Sequence, residues 1–91
     1  MPLLIDFEKS YYDGDRQAVV IPANDAGKSV TCLVTSTALN DRAGTAVEDK
    51  ALLLVMWSLR EEIQLLVGEM YRLGHFTTKQ EIWLTSRELY R

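Results

Sequence analysis

The sequence predicts a two-layer α+β domain, with a small, mainly antiparallel sheet of about three to four strands packed on one long helix. Short helical turns are expected after the third strand and at the C-terminus. Three observations lead there. The first 35 residues carry period-two apolar patterns broken by turn signals, and residues 46–73 hold seventeen hydrophobic side chains at helical spacing. A chain of 91 residues with 47 % hydrophobic content suits a single domain over residues 1–91, too short for a large enclosed cavity.

Leu3, Ile5 and Phe7 alternate with Leu4, Asp6 and Glu8, the pattern of a half-buried first strand. Lys9 to Arg16 reads as a turn around Asp13-Gly14-Asp15, because glycine tolerates positive φ and aspartate bonds the local backbone. A second strand follows, from Gln17 to Pro22. Asn24-Asp25-Ala26-Gly27-Lys28 then turns the chain into a third strand, Ser29 to Thr35, whose Val30, Cys32 and Val34 share the inner face. Ser36 is placed to cap a short helical segment from Thr37 to about Arg42, stopped by Gly44.

Thr45-Ala46-Val47-Glu48 fits a capping box and should open the long helix. Leu52, Met56, Leu59, Ile63, Leu66, Met70 and Leu73 follow at spacings of four and three, and Gly74 supplies the stop. The span of 28 residues corresponds to about 40 Å of helix. Leu53, Trp57, Val67 and Tyr71 form a second line beside that stripe, more apolar surface than a few strands can cover.

The tail from Thr77 supports two readings. Thr78 and Glu81 could open a helix with Ile82, Trp83, Leu89 and Tyr90 at seven-residue spacing. Alternatively, Trp83-Leu84-Thr85-Ser86-Arg87-Glu88-Leu89 echoes Leu33-Val34-Thr35-Ser36-Thr37-Ala38-Leu39: a strand, a hydroxyl cap, a helical turn and a leucine that packs back. The second reading is preferred, with a fourth strand from Gln80 to Thr85.

The run Val30–Leu39, the long helix and the ending Ile82-Trp83-Leu84-Thr85-Ser86-Arg87-Glu88-Leu89 together resemble a family of short bacterial proteins, domain of unknown function 1488. The resemblance covers essentially the whole chain and implies a small bacterial α+β domain. It implies no catalytic residues.

Composition narrows function by exclusion. The formal charge is −3, with six acids against four bases in residues 1–45 and seven against six in residues 46–91. Neither half is a basic arm, which argues against nucleic-acid binding and polybasic membrane attachment. One cysteine excludes an intramolecular disulfide, and one Cys with one His cannot close a zinc site. The N-terminus has no basic stretch before its apolar residues, and the longest apolar run, Ala51–Trp57, is seven residues where a membrane-spanning helix needs about 20. A cytoplasmic protein without cofactor or metal is expected.

Candidate chemistry fails on spacing. Gly27-Lys28-Ser29 resembles the end of a phosphate-binding loop, but Pro22 stands where its first glycine belongs, and a strand rather than a helix follows. Cys32 sits mid-strand facing inward, away from the electropositive setting a nucleophilic thiol needs. His75 reads as a helix-end residue beside the carbonyl pole. Asp13-Gly14-Asp15 lacks the further oxygen ligands of a calcium loop, and Glu61, Glu62, Glu69 and Arg72 read as a solvated helix face.

The leading expectation is therefore a non-enzymatic interaction or regulatory module that self-associates through Leu53, Trp57, Val67 and Tyr71. The first alternative is a nucleic-acid-associated regulator, using Tyr11, Tyr12, Trp57, Trp83 and Tyr90 with a local patch of Arg16, Arg87 and Arg91. The second is an enzyme with a shallow Cys32 or His75 site.

Overall fold

Two eight-residue strands joined by a tight turn form the centre of the computed structural model, which describes residues 3–44 and 48–89. β3 (Ala18–Asp25) and β4 (Lys28–Thr35) pair antiparallel from Ala18↔Thr35 to Asp25↔Lys28. Ala26 and Gly27 both adopt positive φ, 51° and 92°, the two-residue hairpin geometry whose twist matches the flanking strands. Asn24 Oδ1 accepts the Gly27 N–H at 2.7 Å, which holds this turn in place. The Gly-Lys-Ser segment is thus hairpin, as its spacing predicted.

The other edge of β3 is shared by two short antiparallel strands, β1 (Leu4–Ile5) and β2 (Tyr11–Asp13), with a 3-10 turn over Phe7–Lys9 between them. The alternation of Leu3, Ile5 and Phe7 points these side chains to the core as expected. β2 falls inside the segment expected to be a turn; only the remainder, to Gln17, turns. Pro22 lies opposite the seam between β1 and β2. Its carbonyl accepts the Asp6 N–H at 2.9 Å, and its missing donor falls where no strand needs it.

After β4 the chain forms α1 (Ser36–Ala43), α2 (Asp49–Ser58) and α3 (Arg60–Arg72), then returns as β5 (Glu81–Leu84) and α4 (Ser86–Leu89). β5 pairs with β4 in parallel, so the five-stranded sheet is mixed: three of its four pairings are antiparallel and one is parallel. The three-helix crossover is what makes that direction possible. The echo between residues 33–39 and 83–89 becomes physical adjacency, because Leu33 pairs with Trp83 and Val34 with Leu84.

Both strands consequently end side by side in a capping threonine. Thr35 Oγ1 accepts the Ala38 N–H at 3.2 Å, so the cap of α1 is Thr35 and not Ser36, whose own N–H donates to the Gln17 carbonyl. Thr85 Oγ1 accepts the Arg87 N–H, while Glu88 Oε1 accepts the Thr85 N–H at 2.9 Å and hydroxyl at 2.8 Å. Gly44 ends α1 at φ 78°, as expected. Leu39 and Leu89 both pack into the main core.

The expected single long helix is broken at Leu59, which leaves helical geometry at φ −103° and ψ 10°. Competition for carbonyls in the last turn of α2 accounts for the break. Ser58 Oγ donates to the Val55 carbonyl at 2.7 Å, the Arg60 guanidinium to the Trp57 carbonyl at 2.9 Å, and the Leu59 N–H divides between Val55 and Met56. α3 restarts with the Ile63 N–H on the Leu59 carbonyl. The Thr45–Glu48 capping box lies outside the described residues except for Glu48, the residue preceding α2.

Leu52, Met56, Ile63 and Val67 face Val19, Ile21, Cys32, Val34, Ile82 and Leu84 of the sheet in one core. Of the expected stripe, Leu52, Met56 and Ile63 are fully buried, but the buried line then continues through Val67, and Leu73, the last member of the stripe, is 54 % exposed. The opposite sheet face carries a smaller cluster of Ala18, Val20 and Leu33 beneath Trp83. Arg16 spans that face from the β2–β3 turn to Glu81 of β5, with a 3.0 Å ion pair. At the outer edge of β5, Glu81 donates its N–H to Thr77 Oγ1 and receives the Thr77 N–H on its carbonyl.

Candidate interaction surface

Groups capable of covalent or acid–base chemistry are placed apart. The Cys32 thiol is fully buried on the inner face of β4, and that burial pushes its pKa up to about 12. His75 is exposed beyond α3, with its backbone N–H donating to the Met70 carbonyl at 2.8 Å. Among the described residues, no three His, Cys, Asp or Glu side chains are grouped to hold a metal, and no helix is long and apolar enough to cross a membrane. Asp13 Oδ1 accepts the Asp15 and Arg16 N–H groups, closing the turn its sequence suggested.

A recess of about 260 Å³ at the end of α3 is lined by Leu66, Met70, His75, Arg87 and Glu88. Its Glu88 carboxylate is committed to Thr85. The Arg42 guanidinium bonds the Glu62 carboxylate and the Leu89 carbonyl, tying α1 to α3 and α4. Through that hydrogen bond Glu62 is held below the usual carboxylate range and Arg42 raised.

The aromatic residues divide between the two faces. Tyr11 and Trp83 lie on the outer sheet face with Arg16, whose charge is matched by Asp13 and Glu81. Tyr12 packs toward the main core, and Trp57 lies on the helical side; Tyr90 and Arg91 lie outside the described residues.

The line Leu53, Trp57, Val67, Tyr71 does not form one exposed surface. Val67 is fully buried against the sheet, a correction that follows from the interruption at Leu59. Leu53 is half-buried against the core. Tyr71 is half-buried too: its hydroxyl donates to Asp25 Oδ2 at 2.5 Å, and its ring lies 5.3 Å from Phe76. That hydrogen bond raises the Tyr71 pKa. Trp57 remains open at 40 %, with Phe7 edge-on at 6.3 Å and the Arg60 guanidinium 5.0 Å from its ring centroid.

Two residues outside that line are more exposed than any member of it. Leu54 in α2 is 72 % exposed and Leu65 in α3 is 76 %. Phe7, Leu53, Leu54, Met56 and Trp57 line one shallow groove. A second runs past Leu65, Gly68 and Tyr71. The surplus of apolar residues between 46 and 73 was the signal for them; the periodicity assigned to one unbroken helix put them off the line.

With this geometry, the family profile for Protein of unknown function (DUF1488) matches residues 5–84. The chain belongs to this family. A crystal structure of a family member of unknown function from Shewanella loihica PV-4 superposes with a TM-score of 0.84 over 91 % of each chain, at 15 % sequence identity. The family fold is therefore shared where few residues are. No curated protein matches the chain.

Proposed function

We propose that this DUF1488 protein is a non-enzymatic bacterial interaction or regulatory module that acts in the cytoplasm as a homo-oligomer through its helical layer. The observation carrying this reading is the exposure of Leu54, Trp57 and Leu65 on helices whose inner sides already fill the core. Covering a leucine is worth about 1.5–3 kcal/mol, so two open leucines and a tryptophan favour a partner. The source of the structural neighbour, Shewanella loihica, agrees with a bacterial setting.

Light scattering across a concentration series tests the reading. Self-association is expected, and a strict monomer at high micromolar concentration removes it. A second reading has one observation in its favour: Tyr11, Trp83 and Arg16 share the outer sheet face, where bases could stack. Salt-dependent binding to mixed single-stranded DNA or RNA would support it. No binding at low salt would end it.

A further inference from the structure

Gly68 sits inside α3, where glycine is less favourable than alanine because it has more backbone freedom to lose. Packing among the described residues does not explain it. Among them, a Cβ built at Gly68 would meet nothing within 4 Å, so neither the sheet nor a neighbouring helix approaches its backbone closely. One turn earlier on the same helix face stands Leu65, the most exposed of the large hydrophobic residues. A half-buried notch and an exposed knob therefore lie next to each other.

The residues flanking them are charged and opposite in sign. Glu61 precedes Leu65 by four residues and Arg72 follows Gly68 by four, so the four positions form a single stripe on α3. Neither Glu61 nor Arg72 takes part in an ion pair among the described residues, whose bridges are Lys9–Asp6, Arg16–Asp13, Arg16–Glu81 and Arg42–Glu62.

The stripe is self-complementary under a twofold axis. When two copies of α3 run antiparallel and cross between residues 66 and 67, Leu65 of each copy faces Gly68 of the other. In the same register Glu61 of each faces Arg72 of the other, about 8 Å beyond the centre on either side. Reversing the sequence of the stripe exchanges acid for base and knob for notch. A twofold interface requires that property of a surface.

We infer that α3 is the self-association surface of this protein, paired antiparallel with α3 of a second copy through Leu65 in the Gly68 notch and two Glu61–Arg72 ion pairs. The inference rests on the proposed homo-oligomer and adds its partner surface, register and symmetry. Glycine at the crossing lets the helix axes approach to about 8 Å. Three turns of helix bury less than a standard interface, so the pairing belongs with the small, readily exchanging contacts.

The test uses the full chain in sedimentation equilibrium up to about 1 mM at low salt, with three variants: Glu61→Arg, Arg72→Glu and Gly68→Leu. Each single charge reversal places like charges together twice, and about a tenfold rise in the dissociation constant is expected. Mixing the Glu61→Arg and Arg72→Glu chains restores both attractive pairs at once. A heterodimer at least as tight as the wild-type dimer is therefore expected, and this rescue also shows that both variants are folded. Gly68→Leu fills the notch in open space and should leave the monomer folded while abolishing the dimer.

A wild-type dimer that withstands all three changes, or a mixture that shows no rescue, overturns the α3 pairing while self-association itself stands. A wild-type chain that stays monomeric throughout overturns both.

Discussion

A thiol reagent added to the native protein at pH 8 should reach Cys32 only through unfolding. The thiol has no exposed surface, and its pKa rises from 9.0 to about 12. An exposed thiol with the ordinary value is about one-tenth thiolate at this pH; the native one is about a thousandfold less ionised. A chain of this size with about 5 kcal/mol of stability opens fully with a probability of about 10⁻⁴. Labelling followed by absorbance should therefore run at least about a thousandfold slower in buffer than in denaturant. The same burial makes stability depend on alkaline pH. Between pH 9 and 12 the unfolded thiol loses a proton that the folded one keeps, so stability present below pH 9 declines as pH rises. Three pKa units correspond to about 4 kcal/mol at the upper limit. Urea titrations of wild type and Cys32→Ala should thus converge as pH increases from 8 to 11. Native labelling within tenfold of the denatured rate, or two parallel stability profiles, would refute a buried, neutral Cys32.

Three further outcomes follow from the geometry. Gly27→Val should cost about 1–2 kcal/mol in urea unfolding; the site has free space, so the penalty belongs to a φ of 92° alone. Thr85→Val should cost about 1 kcal/mol by removing the hydroxyl that bonds Arg87 and Glu88, with amide exchange quickening in α4 before it does in β5. Glu62, held below the usual carboxylate range by Arg42, stabilises the fold above the unfolded value of 4.5, and that contribution is lost as pH falls through the lower folded value. Glu62→Gln should therefore flatten part of the acid limb, by less than about 1 kcal/mol for so exposed a pair, as thermal midpoints between pH 3 and 6 would register.

The parts legible in the sequence were those decided by neighbours along the chain. Leu3, Ile5 and Phe7 announced their inward face by alternation, and Asn24 to Lys28 announced a hairpin through residues suited to positive φ. Cys32 lay among inward β-branched residues and is buried there. What escaped depends on neighbours in space. β2 has only three residues, too few for a period, and it exists because β3 offers an unpaired edge. The direction of β5 depends on the path of the helical crossover that joins it to β4, which apolar spacing does not encode. The Leu59 break arises from Ser58 and Arg60 bonding carbonyls, and it moved Val67 into the core in place of Leu73. Gly68 contributes nothing to an apolar pattern, so only the space around it revealed a notch.

The hydrogen bonds at the rim of β5 bear on how copies of this protein can meet. Thr77 occupies both outward groups of Glu81 and Glu88 takes the N–H of Thr85, so in a four-residue strand only Trp83 still presents an outward N–H and C=O. One open residue is too short a template for another strand to zip onto. The sheet is closed to growth by its own flanking loops. Fibre-like stacking is denied its starting point on this side, and association is left to side chains, which can release as well as bind.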